Sequence, residues 1–197
     1  MHLNASLSYL SSDEEFDALF PIYIQKLSKY HWTPLNVART AAKFLGPDAS
    51  CRVLDIGAGS GKFCIAGSLF SRATFTGIEQ RKNFVQVGNK VIKQLGLTQA
   101  ELIHGNFMDM DVSQYTGIYF YNSFHENIVV ADSLDEKTER SHELYELYTA
   151  DFLAKINSMP IGTRLATFWL SISEIPGCYK IYGSYYNDNL KLWRKEY

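Results

Sequence analysis

Apolar residues are spaced differently in the first quarter of the chain and in the rest. Over residues 13–45 they recur every three or four positions, which predicts amphipathic helices. From residue 51 onward, short β-branched runs alternate with segments of helical spacing, as in a sheet whose strands are joined by helices. We therefore predict a helical extension over residues 1–46 that packs on a core domain over residues 47–197.

Local signals divide the extension into separate helices. Ser12, followed three positions later by Glu15, predicts a capping box at the start of the first helix. Pro21 predicts a break in the helical pattern, because proline lacks the N–H that a helix interior requires. Thr33 before Pro34 predicts a side-chain cap on the next helix.

The core domain alternates strand and helix until its last 35 residues. The predicted strands are residues 51–56, 73–78, 100–104, 117–121 and 164–170, and the predicted helices are residues 62–70, 81–95 and 136–159. This alternation implies right-handed crossovers and a parallel sheet. Residues 179–186 and 190–196, joined by Asn187-Asp188-Asn189, predict an antiparallel hairpin. The predicted class is α/β: a Rossmann-like, doubly wound, mainly parallel seven-stranded sheet with a C-terminal hairpin and N-terminal helices.

Composition and charge narrow the class of protein without indicating a chemistry. The 46% of apolar and 20% of charged residues are typical of a soluble globular domain. A formal charge of −2 argues against a dedicated nucleic-acid-binding module, so a nucleic acid is a less favoured partner. The three cysteines and the histidines lack metal-ligand spacing, and we predict no metal. The cysteine usage and the absence of a long apolar run predict a cytoplasmic protein without a membrane partner.

A glycine-rich segment, D-I-G-A-G-S-G at residues 55–61, follows the first predicted strand of the core. Glycine lets the backbone turn sharply and approach a ligand closely, and this is where doubly wound folds bind ligands. The dinucleotide fingerprint requires a small residue where Lys62 stands, so its match is incomplete. The segment does not match the phosphate-binding P-loop motif. That motif has four residues between its glycines and Ser or Thr after the lysine, whereas here three residues separate Gly57 from Gly61 and Phe63 follows the lysine.

The glycine segment resembles the D-x-G-x-G-x-G loop of the class I, seven-strand S-adenosylmethionine (SAM)-dependent methyltransferases. The resemblance extends over about residues 32–197 and implies SAM as the cofactor and S-adenosyl-L-homocysteine (SAH) as the product. It places the cofactor against Asp55, Gly57, Gly59 and Gly61. Glu79 ends the second strand about 20 residues beyond the loop, where a carboxylate can accept both ribose hydroxyls.

Two further segments would complete the cofactor site. In the resembling family the loop after the third strand reaches the adenine, often through an acid; here Asn106 occupies that position, and Phe107 follows. Asn106 can accept from the adenine amino group, and Phe107 can cover the ring. The region before the first core helix closes over the methionine half of the cofactor in this family, which makes Trp32 and Thr33 candidate contacts.

The catalytic candidates follow the fourth strand. Asn122-Ser-Phe124 resembles a shortened form of the N-P-P-Y/F segment of amino-directed methyltransferases without its prolines, and it also resembles, more weakly, a segment of the Dot1-type lysine methyltransferases. By this resemblance Asn122 orients the acceptor amine and Phe124 stacks on it. Alternatively, Asn122 only caps the following helix. His125 is a candidate general acid–base group.

These residues predict a SAM-dependent methyltransferase that acts on an amine nitrogen, with a protein lysine side chain as one such acceptor. A small-molecule N- or O-methyltransferase is the first alternative. Two alternatives from other classes remain open at this point. An NAD-dependent oxidoreductase would use the same loop and acid, and a non-catalytic cofactor-binding protein would keep the fold without the reaction.

Overall fold

A computed structural model describes residues 11–121, 142–170 and 175–197 of the chain. The helices are α1 (Asp13–Asp17), α2 (Ile22–His31), α3 (Leu35–Leu45), α4 (Lys62–Phe70), α5 (Lys82–Gln94) and α6 (His142–Ser158). The strands are β1 (Arg52–Ile56), β2 (Thr74–Glu79), β3 (Ala100–His104), β4 (Gly117–Tyr121), β5 (Arg164–Phe168), β6 (Tyr179–Tyr185) and β7 (Leu190–Lys195). Within these ranges, no helix is both long enough and apolar enough to cross a membrane.

The seven strands form one sheet in the order β3-β2-β1-β4-β5-β7-β6. Strands β1 to β5 pair in parallel, and β7 is antiparallel to both β5 and β6. The predicted Rossmann-like fold with a C-terminal hairpin is confirmed. Two predicted bounds differ: β5 ends at Phe168 because Trp169 has a φ of 60°, which extended backbone does not adopt, and α6 is described only from His142 onward.

Alternating side chains of the strands fill two apolar layers. On β4, Tyr119 points toward α3, α4 and α5, and its ring stacks on Phe63 with centroids 3.8 Å apart. Its neighbour Phe120 points to the other face and stacks on Phe152 of α6 at 4.6 Å. Both faces of the central strands are therefore covered, as expected for parallel strands joined by helices.

The first helix begins as predicted. The Ser12 side chain accepts a hydrogen bond from the Glu15 N–H at 3.2 Å, and the Glu15 carboxylate accepts from the Ser12 N–H at 3.2 Å. Helix α1 ends at Asp17 and α2 begins at Ile22, so the helical structure is interrupted just before and at Pro21. The predicted capping box and helix break are confirmed.

The predicted cap of α3 by Thr33 is wrong. Pro34 occupies the cap position, and the Leu35 N–H donates to Asp13 Oδ1 of α1 at 2.9 Å. The Thr33 hydroxyl is buried and shares a hydrogen bond with the Tyr119 hydroxyl at 2.8 Å. Thr33 therefore ties the start of α3 to the sheet, and α1 supplies the cap from a distant part of the sequence.

Candidate cofactor site

The parallel strands β1 to β5 end at one edge of the sheet, here called the carboxyl edge, and the glycine loop lies on it. The N–H groups of Gly57 and Ala58 both donate to the Ile78 carbonyl at 3.0 Å, which fixes the loop to the end of β2. Gly59 has a φ of 56°, and among the described residues no atom beyond its chain neighbours lies within 4 Å of the position that its Cβ would take. The loop thus leaves an open space at the point where doubly wound folds bind ligands.

Glu79 braces this loop from the end of β2. Its side chain is 3% exposed, and Oε2 accepts a hydrogen bond from the Gly59 N–H at 2.9 Å. Oε1 accepts from the Arg81 N–H at 2.8 Å and from its guanidinium at 3.2 Å. Because each carboxylate oxygen has two lone pairs, these bonds leave capacity for a ligand hydroxyl. The contact between Glu79 and a ribose stays a prediction.

Asp55 lies at the end of β1, beneath the loop. It is 4% exposed, and the Cys64 thiol donates to its Oδ2 at 3.6 Å. Burial raises the pKa of Asp55 to about 7, and the nearby Glu79 carboxylate adds to the rise. Asp55 therefore gains its negative charge only near neutral pH.

The stability of the cofactor-free protein should fall as the pH rises from 5 to 8. Because the pKa of Asp55 is higher in the folded protein than in the unfolded chain, folding retains a proton whose stabilising effect is lost toward pH 7. Asp55→Asn, which is neutral at every pH, should reduce this fall by roughly 2 kcal/mol. Urea unfolding of both proteins at pH 5 and pH 8 measures the difference, and identical pH dependence in the two proteins would contradict the expectation.

The loop after β3 is held by its own side chains. Asn106 Oδ1 accepts from the Met108 N–H at 3.0 Å, and its Nδ2 donates to the Tyr148 hydroxyl at 2.7 Å. Phe107 is 3% exposed, and the Lys155 ammonium lies 4.8 Å from its ring centroid. Both side chains thus have structural partners, and their contacts with adenine stay predictions.

Trp32 and Thr33 lie beside the start of α4, the helix that follows the glycine loop. The Trp32 ring packs edge-on against Phe20 with centroids 4.8 Å apart, and the Lys62 ammonium lies 5.4 Å from that ring. Thr33 reaches the sheet through Tyr119. The structure therefore brings both residues to the carboxyl edge, and their contact with the cofactor stays a prediction.

The sequence analysis missed the ionic partners of Lys62. Its ammonium lies 2.6 Å from Asp13 Oδ1 and 2.7 Å from Asp17 Oδ1, both on α1. The basic residue at position 62 was visible as a departure from the dinucleotide fingerprint. No sequence spacing, however, connects it with carboxylates more than 40 positions earlier.

The carboxyl edge carries a group of aromatic residues at the ends of β4 and β5, one of which is exposed. Tyr121 pairs with Phe168, and their ring centroids are 4.8 Å apart. Trp169, the next residue, is 58% exposed, and its ring lies 6.1 Å from that of Phe168. The sequence pattern placed Trp169 within a strand, and it was not among the predicted site residues. The catalytic candidates Asn122, Phe124 and His125 lie outside the described residues.

Several solved structures that share this fold are named as methyltransferases, and one with a TM-score of 0.52 is named as a [4+2]-cyclase. An RNA methyltransferase from Salinibacter ruber in complex with SAH has a TM-score of 0.57 at 18% identity, covering 83% of this chain and 91% of that one. TrmN from Thermus thermophilus has a TM-score of 0.61 at 14% identity, covering 86% and 51%. A geranyl diphosphate C-methyltransferase from Streptomyces coelicolor A3(2) has a TM-score of 0.50 at 14% identity, covering 67% and 45%. The chain thus spans about half of the last two proteins.

The family comparison adds what the fold alone does not show. None of the curated proteins matches the chain in sequence. Residues 47–145, half of the chain, match the family model described as a methyltransferase domain. This match includes the glycine loop, Glu79 and the whole of β1 to β4. The chain therefore belongs to the methyltransferase domain family and is a class I methyltransferase that uses SAM as its cofactor.

Proposed function

We propose that the protein transfers a methyl group from SAM to an amine nitrogen, with a protein lysine side chain as the first acceptor to test. One observation carries the proposal. Strand β4 lies next to β1 and ends at Tyr121, so the Asn122-Ser-Phe124 segment follows directly from the carboxyl edge. Membership of the methyltransferase family argues against the oxidoreductase alternative.

The residues of the site would bind and align the reactants. SAM supplies a methyl group that its sulfonium already activates. The open space at Gly59 gives room for the cofactor, and Glu79 would accept hydrogen bonds from its ribose. Asn122 would accept a hydrogen bond from the neutral amine and direct its lone pair toward the methyl carbon. The N–C bond would form as the S–C bond breaks, SAH would leave, and the extra proton of the methylated amine would pass to solvent. Holding two reactants in line in this way removes a large entropic part of the barrier.

The aromatic residues at the end of β5 support an acceptor site on the same edge. Trp169 stands one position past Phe168, which pairs with the last residue of β4. Its φ of 60° is unusual for a bulky side chain, and its N–H donates to the Asn189 carbonyl at 2.9 Å, which holds the backbone in place. Such strain concentrates at functional sites. We assign the exposed indole to acceptor binding.

Methyl-labelled SAM and a cell lysate provide the test of the proposed acceptor. The purified protein is incubated with both, and the label is followed into protein, nucleic acid and small molecules, with excess SAH as the blank. Label on lysine side chains would support the proposal. Label confined to small molecules would favour the first alternative, and label in nucleic acid would overturn the lysine assignment. Binding of SAH without label in any of the three fractions would overturn the proposed acceptor.

Trp169→Ala should slow the labelling of the acceptor by about five- to tenfold at limiting acceptor, because an aromatic contact contributes roughly 1 kcal/mol or more. Its affinity for SAH, measured by calorimetry, should stay within about twofold of the wild-type value. Tyr182→Ala is the matched control, since Tyr182 is 70% exposed and lies within β6, away from the end of β5. Equal labelling rates in wild-type, Trp169→Ala and Tyr182→Ala proteins would remove Trp169 from the acceptor site.

A further inference from the structure

Lys62 is a buried lysine at the start of α4, directly after the last glycine of the loop. Its side chain is 3% exposed, and its ammonium contacts Asp13 and Asp17 of α1 at 2.6 and 2.7 Å. Removing an ammonium from water costs several kcal/mol unless it is paired and hydrogen-bonded. The fold meets that cost here through a five-residue helix more than 40 positions earlier in the chain.

The same helix is also tied to α3. Asp13 Oδ1 accepts a hydrogen bond from the Leu35 N–H at 2.9 Å in addition to its contact with Lys62. Phe16, in the middle of α1, is fully buried, and its ring lies 5.7 Å from the Lys62 ammonium. Helix α1 therefore bridges the first turns of α3 and α4.

The covalent position of Lys62 connects this bridge to the loop. Gly61 adopts a φ of 83° and its N–H donates to the Ala58 carbonyl at 2.8 Å, so the loop closes immediately before Lys62. A displacement of α1 would displace Lys62. Because Lys62 directly follows Gly61, the last residue of the loop, the loop would be displaced as well. Conversely, a ligand that holds the loop holds Lys62 in the place where α1 binds it.

We infer that Lys62 is a positioning residue that couples the docking of α1 to occupancy of the glycine loop, so that α1 is part of the cofactor site. This inference rests on the proposed placement of the cofactor at the loop. The coupling is reciprocal: SAH binding stabilises the docked α1, and loss of the α1 contacts weakens SAH binding.

Hydrogen exchange and calorimetry with SAH test the coupling in the full chain. In the wild-type protein, SAH should slow amide exchange in residues 11–20. Lys62→Met, which keeps an unbranched apolar side chain without the charged end group, should weaken SAH binding by about tenfold or more and remove that response. Lys62→Arg should restore part of both. Asp17→Asn, which leaves the Asp13 contact in place, should have an intermediate effect and serves if Lys62→Met does not fold.

Lys195→Met is the matched control. Lys195 is also a buried lysine, and its ammonium donates to the Met159 carbonyl at 2.7 Å. It is the last residue of β7, which is antiparallel to β5, so it lies where the parallel strands begin, opposite the carboxyl edge and the loop. Its replacement should lower stability while leaving SAH affinity and the exchange response unchanged. The inference would be overturned if Lys62→Met bound SAH with wild-type affinity. It would also be overturned if SAH left the amide exchange of residues 11–20 unchanged in the wild-type protein. A wild-type protein that does not bind SAH would overturn the cofactor placement as well.

Discussion

Glu79→Ala should weaken SAH binding by about tenfold to a hundredfold and also lower the stability of the cofactor-free protein. The affinity falls because a carboxylate bond to a ribose hydroxyl contributes roughly 1–3 kcal/mol. The stability falls because the Glu79 carboxylate, only 3% exposed, accepts hydrogen bonds from the Gly59 N–H and from Arg81. Removing it takes away the acceptor of the Gly59 N–H and the Glu79–Arg81 ion pair.

Calorimetry with SAH and urea unfolding separate the two effects. Glu79→Gln keeps an acceptor oxygen for Gly59 but removes the charge, so it should regain stability more fully than affinity. Glu101→Ala is the control, since Glu101 lies within β3 and accepts from the Thr76 hydroxyl at 3.1 Å, before the carboxyl edge. Its replacement should leave SAH binding unchanged. A folded Glu79→Ala protein with wild-type affinity would refute the ribose assignment.

The fold could be predicted because its signals are local. Apolar periodicity, the glycine loop and the turn-rich segment before β7 each act over fewer than about 20 residues. The errors came from contacts between distant residues. Thr33 has a good helix-cap side chain, yet its hydroxyl bonds to Tyr119, 86 positions away. Trp169 is a good strand former, yet its φ of 60° ends β5 at Phe168, two residues before the predicted bound.

The two halves of the site differ in how far the sequence determines them. The cofactor half depends on backbone geometry at the end of β1 and on one acid at the end of β2, and both features occupy fixed positions in this fold. The proposed acceptor half would depend on side chains and added segments, which the fold does not constrain. Solved structures with this architecture are named for an RNA and for geranyl diphosphate, so the fold is compatible with very different acceptors.

Two substitutions that each add one methyl group to the loop should rank in opposite order for loss of stability and for loss of SAH affinity. Gly59→Ala should lower stability by only about 1 kcal/mol, the cost of a left-handed backbone with a Cβ, because its methyl group meets no atom within 4 Å in the part of the chain that the structure describes, its chain neighbours apart. The same methyl enters the space proposed for the cofactor and should weaken SAH binding by about tenfold or more. Gly61→Ala should lower stability by roughly 2–4 kcal/mol, since its Cβ would stand 2.8 Å from Leu102 Cδ1 in the apolar layer.

Urea unfolding without cofactor and SAH calorimetry, each on both variants, test this reversal. The comparison is matched, because both glycines have a positive φ and each change adds one methyl group to the same loop. If the opening at Gly59 is the cofactor's place, the variant with the smaller loss of stability has the larger intrinsic loss of affinity, once SAH binding is corrected for the folded fraction. Wild-type SAH affinity in a folded Gly59→Ala protein would refute the placement of the cofactor at the loop. It would therefore also refute the coupling assigned to Lys62.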